Sequence, residues 1–130
     1  MGTRSLTYVY GGDRETKPLV CMYRQYDGYP AGHGQELIDF LKPIKLVNGL
    51  GVGKNVKVAN GMGCLAAQLI AHFKDGAGQF YLYEPELEQD ACQEYEYHIF
   101  ENGIDVKDGY GKTIFSGNNK EFQSFCEEDE

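Results

Sequence analysis

The sequence predicts a single α+β domain: a mostly antiparallel sheet packed on one long buried helix and one short helix. Three observations carry this. Asn60 to Asp75 (NGMGCLAAQLIAHFKD) is the only long segment that is apolar on nearly every side, with Gln68, His72 and Lys74 as its polar interruptions. A helix that is hydrophobic all round is a buried helix. Short runs of β-forming residues lie on both sides of it, joined by turn residues in the manner of hairpins rather than of βαβ units. A chain of 130 residues with 42% hydrophobic content suits one domain with one core.

In chain order, Ser5 to Tyr10 alternates and is rich in β-formers, so it is expected to be a strand. Gly11-Gly12-Asp13 ends it, and Pro18 to Gln25 pairs with it as a hairpin. Asp27-Gly28 and Tyr29-Pro30 are turn signals. Gln35 to Leu41 is a short amphipathic helix stopped by Pro43. Ile44, Leu46 and Val47 suit either a last helical turn or a short strand. Asn48 to Lys54 is a glycine-rich loop, and Asn55 to Ala59 a short strand. Asn60 is placed to cap the central helix and Gly76 to end it. Phe80 to Tyr83 and Glu94 to Phe100 are the clearest strands, expected to form a wide hairpin around Glu84 to Gln93. A last strand spans Asp105 to Ser116, interrupted at Asp108-Gly109. Residues 1–120 then form the domain and residues 121–130 an acidic tail, with a final turn at Phe122 and Phe125.

Charge is distributed unevenly. Residues 1–74 hold nine Lys/Arg against five Asp/Glu, a balance of +4, whereas residues 75–130 hold three against fifteen, a balance of −12. No Lys or Arg occurs between Asp75 and Val106. Phosphate binding depends on cation contacts, so nucleic acid is excluded as a partner of that region. No apolar run at the N-terminus suggests export, and the central helix is too short to span a bilayer. A cytoplasmic protein with reduced thiols at Cys21, Cys64, Cys92 and Cys126 is expected, and membrane attachment is not.

Four segments are candidates for chemistry. Gly61-x-Gly63-x-x-Ala66 opens a helix after a short strand, and Glu84 follows at the end of the next strand. This matches a dinucleotide fingerprint in outline, with pyrophosphate on the helix N-terminus and a carboxylate on the ribose. The same glycines equally suit a capped core helix. Asn48 to Lys54 resembles a phosphate loop but has Asn where that motif needs Gly and Ser or Thr. Cys64 lies in the first helical turn, where the helix dipole favours a thiolate, and His98 is a later strand histidine. That pair follows the logic of thiol peptidases, against the rule that free cysteine is usually inert packing. Finally, Tyr23, Arg24, Asp27, Tyr29, His33 and Glu36 crowd aromatic and charged groups into a loop beside a helix start. The competing account is structural, with Arg24 paired to an acid and the tyrosines covering the core edge. A metal held by Asp27, His33 and Glu36 has only a weak signature, and no metal or other cofactor is expected.

The segment YRQYDGYPAGHGQEL (Tyr23 to Leu37) resembles the YxxxDGYPxGxG segment of a group of small uncharacterised proteins from bacteriophages and bacteria, and GCLAAQLIAHFKDG (Gly63 to Gly76) is also similar to that group. The resemblance covers about half the chain. It implies a compact phage-type domain and carries no functional residue with it.

Tyr81, Tyr83, Tyr95 and Tyr97 alternate on the two strongest strands and are placed to share a face within the acidic zone, with packing under the helices the expected fate of half of them. Tyrosine is enriched at protein interfaces. The expected function is therefore a non-enzymatic protein-binding or regulatory accessory, with another protein or a second copy of the chain as partner. A nucleotide binder or thiol enzyme using the helix start at Gly61 to Ala66 is the alternative.

Overall fold

The computed structural model describes residues 2–49 and 57–129. Among the described residues, eight strands and three α-helices follow in the order β1 (Ser5–Tyr10), β2 (Pro18–Arg24), α1 (Gln35–Leu41), β3 (Lys45–Val47), β4 (Val58–Asn60), α2 (Gly61–Phe73), β5 (Phe80–Tyr83), β6 (Tyr95–Phe100), β7 (Gly103–Asp108), β8 (Thr113–Gly117) and α3 (Asn119–Glu127). A π-helical turn, Pro30–Gly34, runs straight into α1. The main sheet has the order β5-β2-β1-β6-β7-β8, and β3 and β4 form a separate pair. In the main sheet only β1 and β6 are parallel. This is the α+β domain expected, with three helices of 7, 13 and 9 residues rather than one long and one short.

The sheet is covered on both faces, which explains why every residue of β1 is buried. Val9, Met22, Tyr97, Ile99, Ile104 and Val106 meet the three helices on one side. Leu6, Tyr8, Tyr10, Cys21, Tyr23 and Phe100 form a second cluster on the other, with Ala91 packed against it. The segment 84–94 crosses that second face. Tyr8 donates to the Glu86 carbonyl at 2.8 Å, and Gln89 Nε2 donates to the Glu84 and Glu86 carbonyls at 2.7 and 2.9 Å. Strand register follows from alternation: with one face given to the helices and the other to this aromatic cluster, a one-residue slip exchanges both sets of side chains.

Three expectations are corrected. The central helix α2 is not apolar-faced all round. Met62, Leu65, Ala66, Leu69 and Phe73 are buried, while Gly63, Ala67, Ala71 and His72 are exposed. Alanine and glycine count as apolar in a sequence yet remove little area from water, so one stripe suffices to hold the helix. Next, β5 and β6 do not form a hairpin. β5 is an edge strand beside β2, and β6 lies two strands further on, parallel to β1. The connecting segment is long enough to cross the sheet face instead of turning back. Last, the acidic C-terminal segment is not a free tail. It forms α3, started by a capping box in which Asn118 Oδ1 accepts from the Glu121 N–H at 2.8 Å and Glu121 Oε1 accepts from the Asn118 N–H at 2.9 Å. Phe122 and Cys126 are buried against the core, and Asp129 accepts from the Ala31 N–H at 2.9 Å.

The glycine-rich loop lies largely outside the described residues, as does the start of the strand expected from Asn55. Its end is β4, which pairs in parallel with β3.

Candidate functional site

The Tyr23–Glu36 segment folds as a latch between sheet and helices. Alternation along β2 separates its first two residues. Tyr23 joins the aromatic face, stacked on Tyr83 with ring centroids 5.0 Å apart, and donates to Gln25 Oε1 at 2.9 Å. Arg24 points to the helix side and is only 4% exposed. Its guanidinium reaches His33 Nδ1 at 3.0 Å and Glu36 Oε2 at 3.1 Å, and it bonds the Tyr26 carbonyl. Arginine can only donate, so His33 Nδ1 is the acceptor. The ring hydrogen therefore resides on Nε2, which donates to Thr7 Oγ1 at 2.7 Å. Burial, reinforced by the Arg24 charge, holds the His33 pKa well below its ordinary 6.5. His33 is thus a neutral imidazole with both nitrogens used and no solvent contact.

The glycines and turn residues of the same segment are set by contact. Asp27 has φ of 59°, and its carbonyl accepts from the His33 N–H at 2.8 Å. Tyr97 donates to the Gly28 carbonyl at 2.6 Å. A Cβ on Gly34 would stand 2.7 Å from Cys126 Sγ, so a side chain there forces α3 or the π-helical turn to shift. Of the six residues singled out here, Tyr23, Arg24 and His33 are buried, and Asp27, Tyr29 and Glu36 are exposed. Among the described residues no three His, Cys, Asp or Glu side chains gather where they could hold a metal ion.

At the start of α2, Gly61 adopts φ of 84°, and Asn60 does not cap the helix. Its Oδ1 instead accepts from the Gly49 N–H at 3.1 Å. A cleft of about 330 Å³ opens there, lined by Leu46, Val47, Asn48, Gly61, Met62 and Glu101 among others. An acidic residue, Glu101, in that lining disfavours a phosphate there. Gly63 lies on the exposed side of α2. Glu84 follows β5, in a different sheet from β4, so no strand–helix–strand unit links the glycines to that carboxylate. Cys64 packs partly against the helix-side core and donates to Gln68 Oε1 at 3.1 Å. His98 is on the other face of the sheet, stacked on Tyr8 at 4.9 Å. Its Nδ1 is 2.7 Å from the Tyr10 hydroxyl and its Nε2 3.0 Å from Glu96 Oε1. The sheet stands between Cys64 and His98, and both His98 nitrogens are occupied. Burial pushes the Cys21 and Cys126 thiols up to about 12, which leaves them protonated at neutral pH.

The four tyrosines are divided two and two between the faces of the sheet. Tyr81 and Tyr83 lie with Tyr23 on the aromatic face, whereas Tyr97 is fully buried under the helices with Tyr95 beside it. The acidic zone does present an open surface around β5, carried by residues that sequence reasoning passed over. Leu82 and Leu87 are 62% and 51% exposed, next to the half-exposed rings of Tyr81 and Tyr83. Glu84, Glu86 and Glu88 are exposed beside them. A groove of about 310 Å³ runs along the helix side of the strand, lined by Met22, Ile70, Lys74, Phe80, Tyr81 and Leu82. The available signal was a leucine inside FYLY and another inside a run of acids.

Comparison with known proteins found no matching family model, no matching curated protein and no matching solved structure. Among the described residues no helix is long and apolar enough to cross a membrane.

Proposed function

We propose that this chain is a non-enzymatic, cytoplasmic accessory domain that binds another protein through the acidic, tyrosine-bearing surface of β5 and segment 84–94. One observation carries the proposal: Tyr81, Leu82, Tyr83 and Leu87 are exposed together in a stretch of sequence that contains no Lys or Arg. Exposed apolar groups rimmed mainly by carboxylates, with Lys74 at one end, suit a protein interface. The same charge argues against nucleic acid and makes a basic partner more favourable than a second copy of this chain.

The test is capture of partner proteins at low and high salt, in parallel with a Tyr81→Ser/Leu87→Ser variant. Capture that weakens with salt and disappears in the variant supports the proposal. Capture indifferent to both counts against it. The alternative of a nucleotide or thiol function at Gly61–Cys64 rests on the cleft at the start of α2. It is tested by thermal shift with NAD, ATP and divalent metals. A ligand at a hundred times its dissociation constant adds about 2.7 kcal/mol, so a clear shift would reject the accessory role.

A further inference from the structure

The outer edge of β5 has a defined hydrogen-bonding pattern. The Gln25 N–H donates to the Gln79 carbonyl at 2.9 Å, and the register continues through Tyr23 opposite Tyr81 and Cys21 opposite Tyr83. Backbone bonding alternates along an antiparallel pair. Tyr81 and Tyr83 therefore turn their backbone groups toward β2, while Phe80 and Leu82 turn theirs outward. At Phe80 both outward groups are already engaged: its N–H donates to the Gly78 carbonyl at 2.7 Å, and its carbonyl accepts from Lys74 Nζ at 2.7 Å. Lys74 thus guards one end of the edge, a common protection against indiscriminate strand pairing. Leu82 presents its N–H and C=O in the interval between Lys74 and the acidic segment. Among the described residues no strand pairs with that edge.

We propose that β5 receives an extended segment of a basic partner protein, paired through its backbone to Leu82, with one apolar side chain in the groove and Lys or Arg on either side of it. This rests on the protein-binding role proposed above and specifies its mode. A residue directly opposite Leu82 shares its face of the sheet. Its side chain meets Met22, Ile70 and Phe80 in the apolar groove. The residues before and after it point to the other face, beside the rings of Tyr81 and Tyr83 and close to Glu84 and Glu86. Long basic side chains suit that place: their stems lie on the rings and their charges meet the carboxylates. The strand-addition mode takes affinity from the backbone and specificity from alternate side chains.

The experiment selects displayed random short peptides on the immobilised full chain. The strongest binder is then resynthesised with its central apolar residue N-methylated. The expected winners share a basic–apolar–basic pattern. N-methylation, which deletes one backbone donor and crowds the pairing, weakens binding about tenfold. Leu82→Lys weakens it by a similar factor, and an unchanged thermal transition shows that this variant is folded. Winners without the pattern overturn the proposal. Basic peptides that bind equally well after N-methylation overturn strand addition while leaving the acidic protein-binding surface in place. A selection that yields no basic peptide removes both.

Discussion

Residues 23–36 and residues 80–94 are built from the same kinds of residue. Each mixes tyrosines with charged groups and turn formers, and each is a candidate binding region on composition alone. The fold treats them oppositely. In the first, Arg24 is buried with its donors on His33, Glu36 and the Tyr26 carbonyl, and the histidine is neutral and fully enclosed. In the second, two leucines and two tyrosines stand in solvent beside three glutamates. The difference teaches that polar residues whose hydrogen bonds are completed inside the molecule do structural work. Apolar residues left without cover are the better indication of a partner.

That contrast breaks first at Arg24. Arg24→Met keeps much of the shape but leaves His33 Nδ1 and the Tyr26 carbonyl without their donor. The expected loss is about 3 kcal/mol of unfolding free energy in urea titration. Most of it comes from the buried His33 nitrogen, because the half-exposed Glu36 is rescued by water. The control is Tyr29→Ala in the same segment, expected to stay within about 0.5 kcal/mol. Near-equal losses from the two changes would show that the segment is no latch.

Gly34→Ala is expected to cost about 2 kcal/mol, through contact rather than backbone strain, since φ is an ordinary −59°. The new methyl group meets Cys126 Sγ, with Phe122 and Tyr97 carbons 3.5 Å away. Cys126→Ala in the same chain removes the clash. The double variant is therefore more stable than the sum of its single losses, by about 1 kcal/mol. Strict additivity would mean that α3 is not seated on the π-helical turn.

These residues also explain how much was legible beforehand. The bounds of β1 and α1 follow from alternation and from Pro43, and the pairing of β1 with β2 from the turn between them. The helix α3 was legible too, in the Asn118-x-x-Glu121 capping box and the spacing of Phe122, Phe125 and Cys126, but its acids drew it into a tail. The neighbours of β5 were not legible. A strand with two short flanks pairs where the register of distant segments puts it, and no local pattern contains that. Nor was the neutrality of His33, which depends on Arg24 and Thr7 arriving from two different strands.

Acid separates the two regions by a different route. His33 has its pKa lowered in the fold, so the unfolded chain binds the extra proton first. Its contribution to stability is complete above pH 6.5 and is lost as pH falls below that value, by up to about 1.4 kcal/mol per pH unit. His33→Gln removes that slope between pH 6.5 and pH 5 in chemical denaturation. Glu96 and Asp105 act lower. Burial opposes their ionisation, but hydrogen bonds from His98 and Gln93 to the one and from Arg14 and Ser116 to the other outweigh it and lower both pKa values. Their stabilising effect is present above the unfolded carboxylate range and fades beneath it. A slope that persists unchanged in His33→Gln would remove the enclosed neutral imidazole from the account.

The smallest stability effect is the most informative about the open region. Leu82→Lys changes a side chain that is mostly in solvent, so the unfolding free energy should move by no more than about 0.5 kcal/mol. A structural role for the β5 surface, such as completing the core through the Met22–Ile70 groove, predicts a loss of 1 kcal/mol or more, because buried methylene groups each contribute about 0.8. Urea titration of this one variant therefore sets the two regions apart without any knowledge of the partner. Arg24 is expected to fail when touched because its bonds are already made inside the molecule, whereas Leu82 is expected to tolerate change because its side chain stands mostly in solvent.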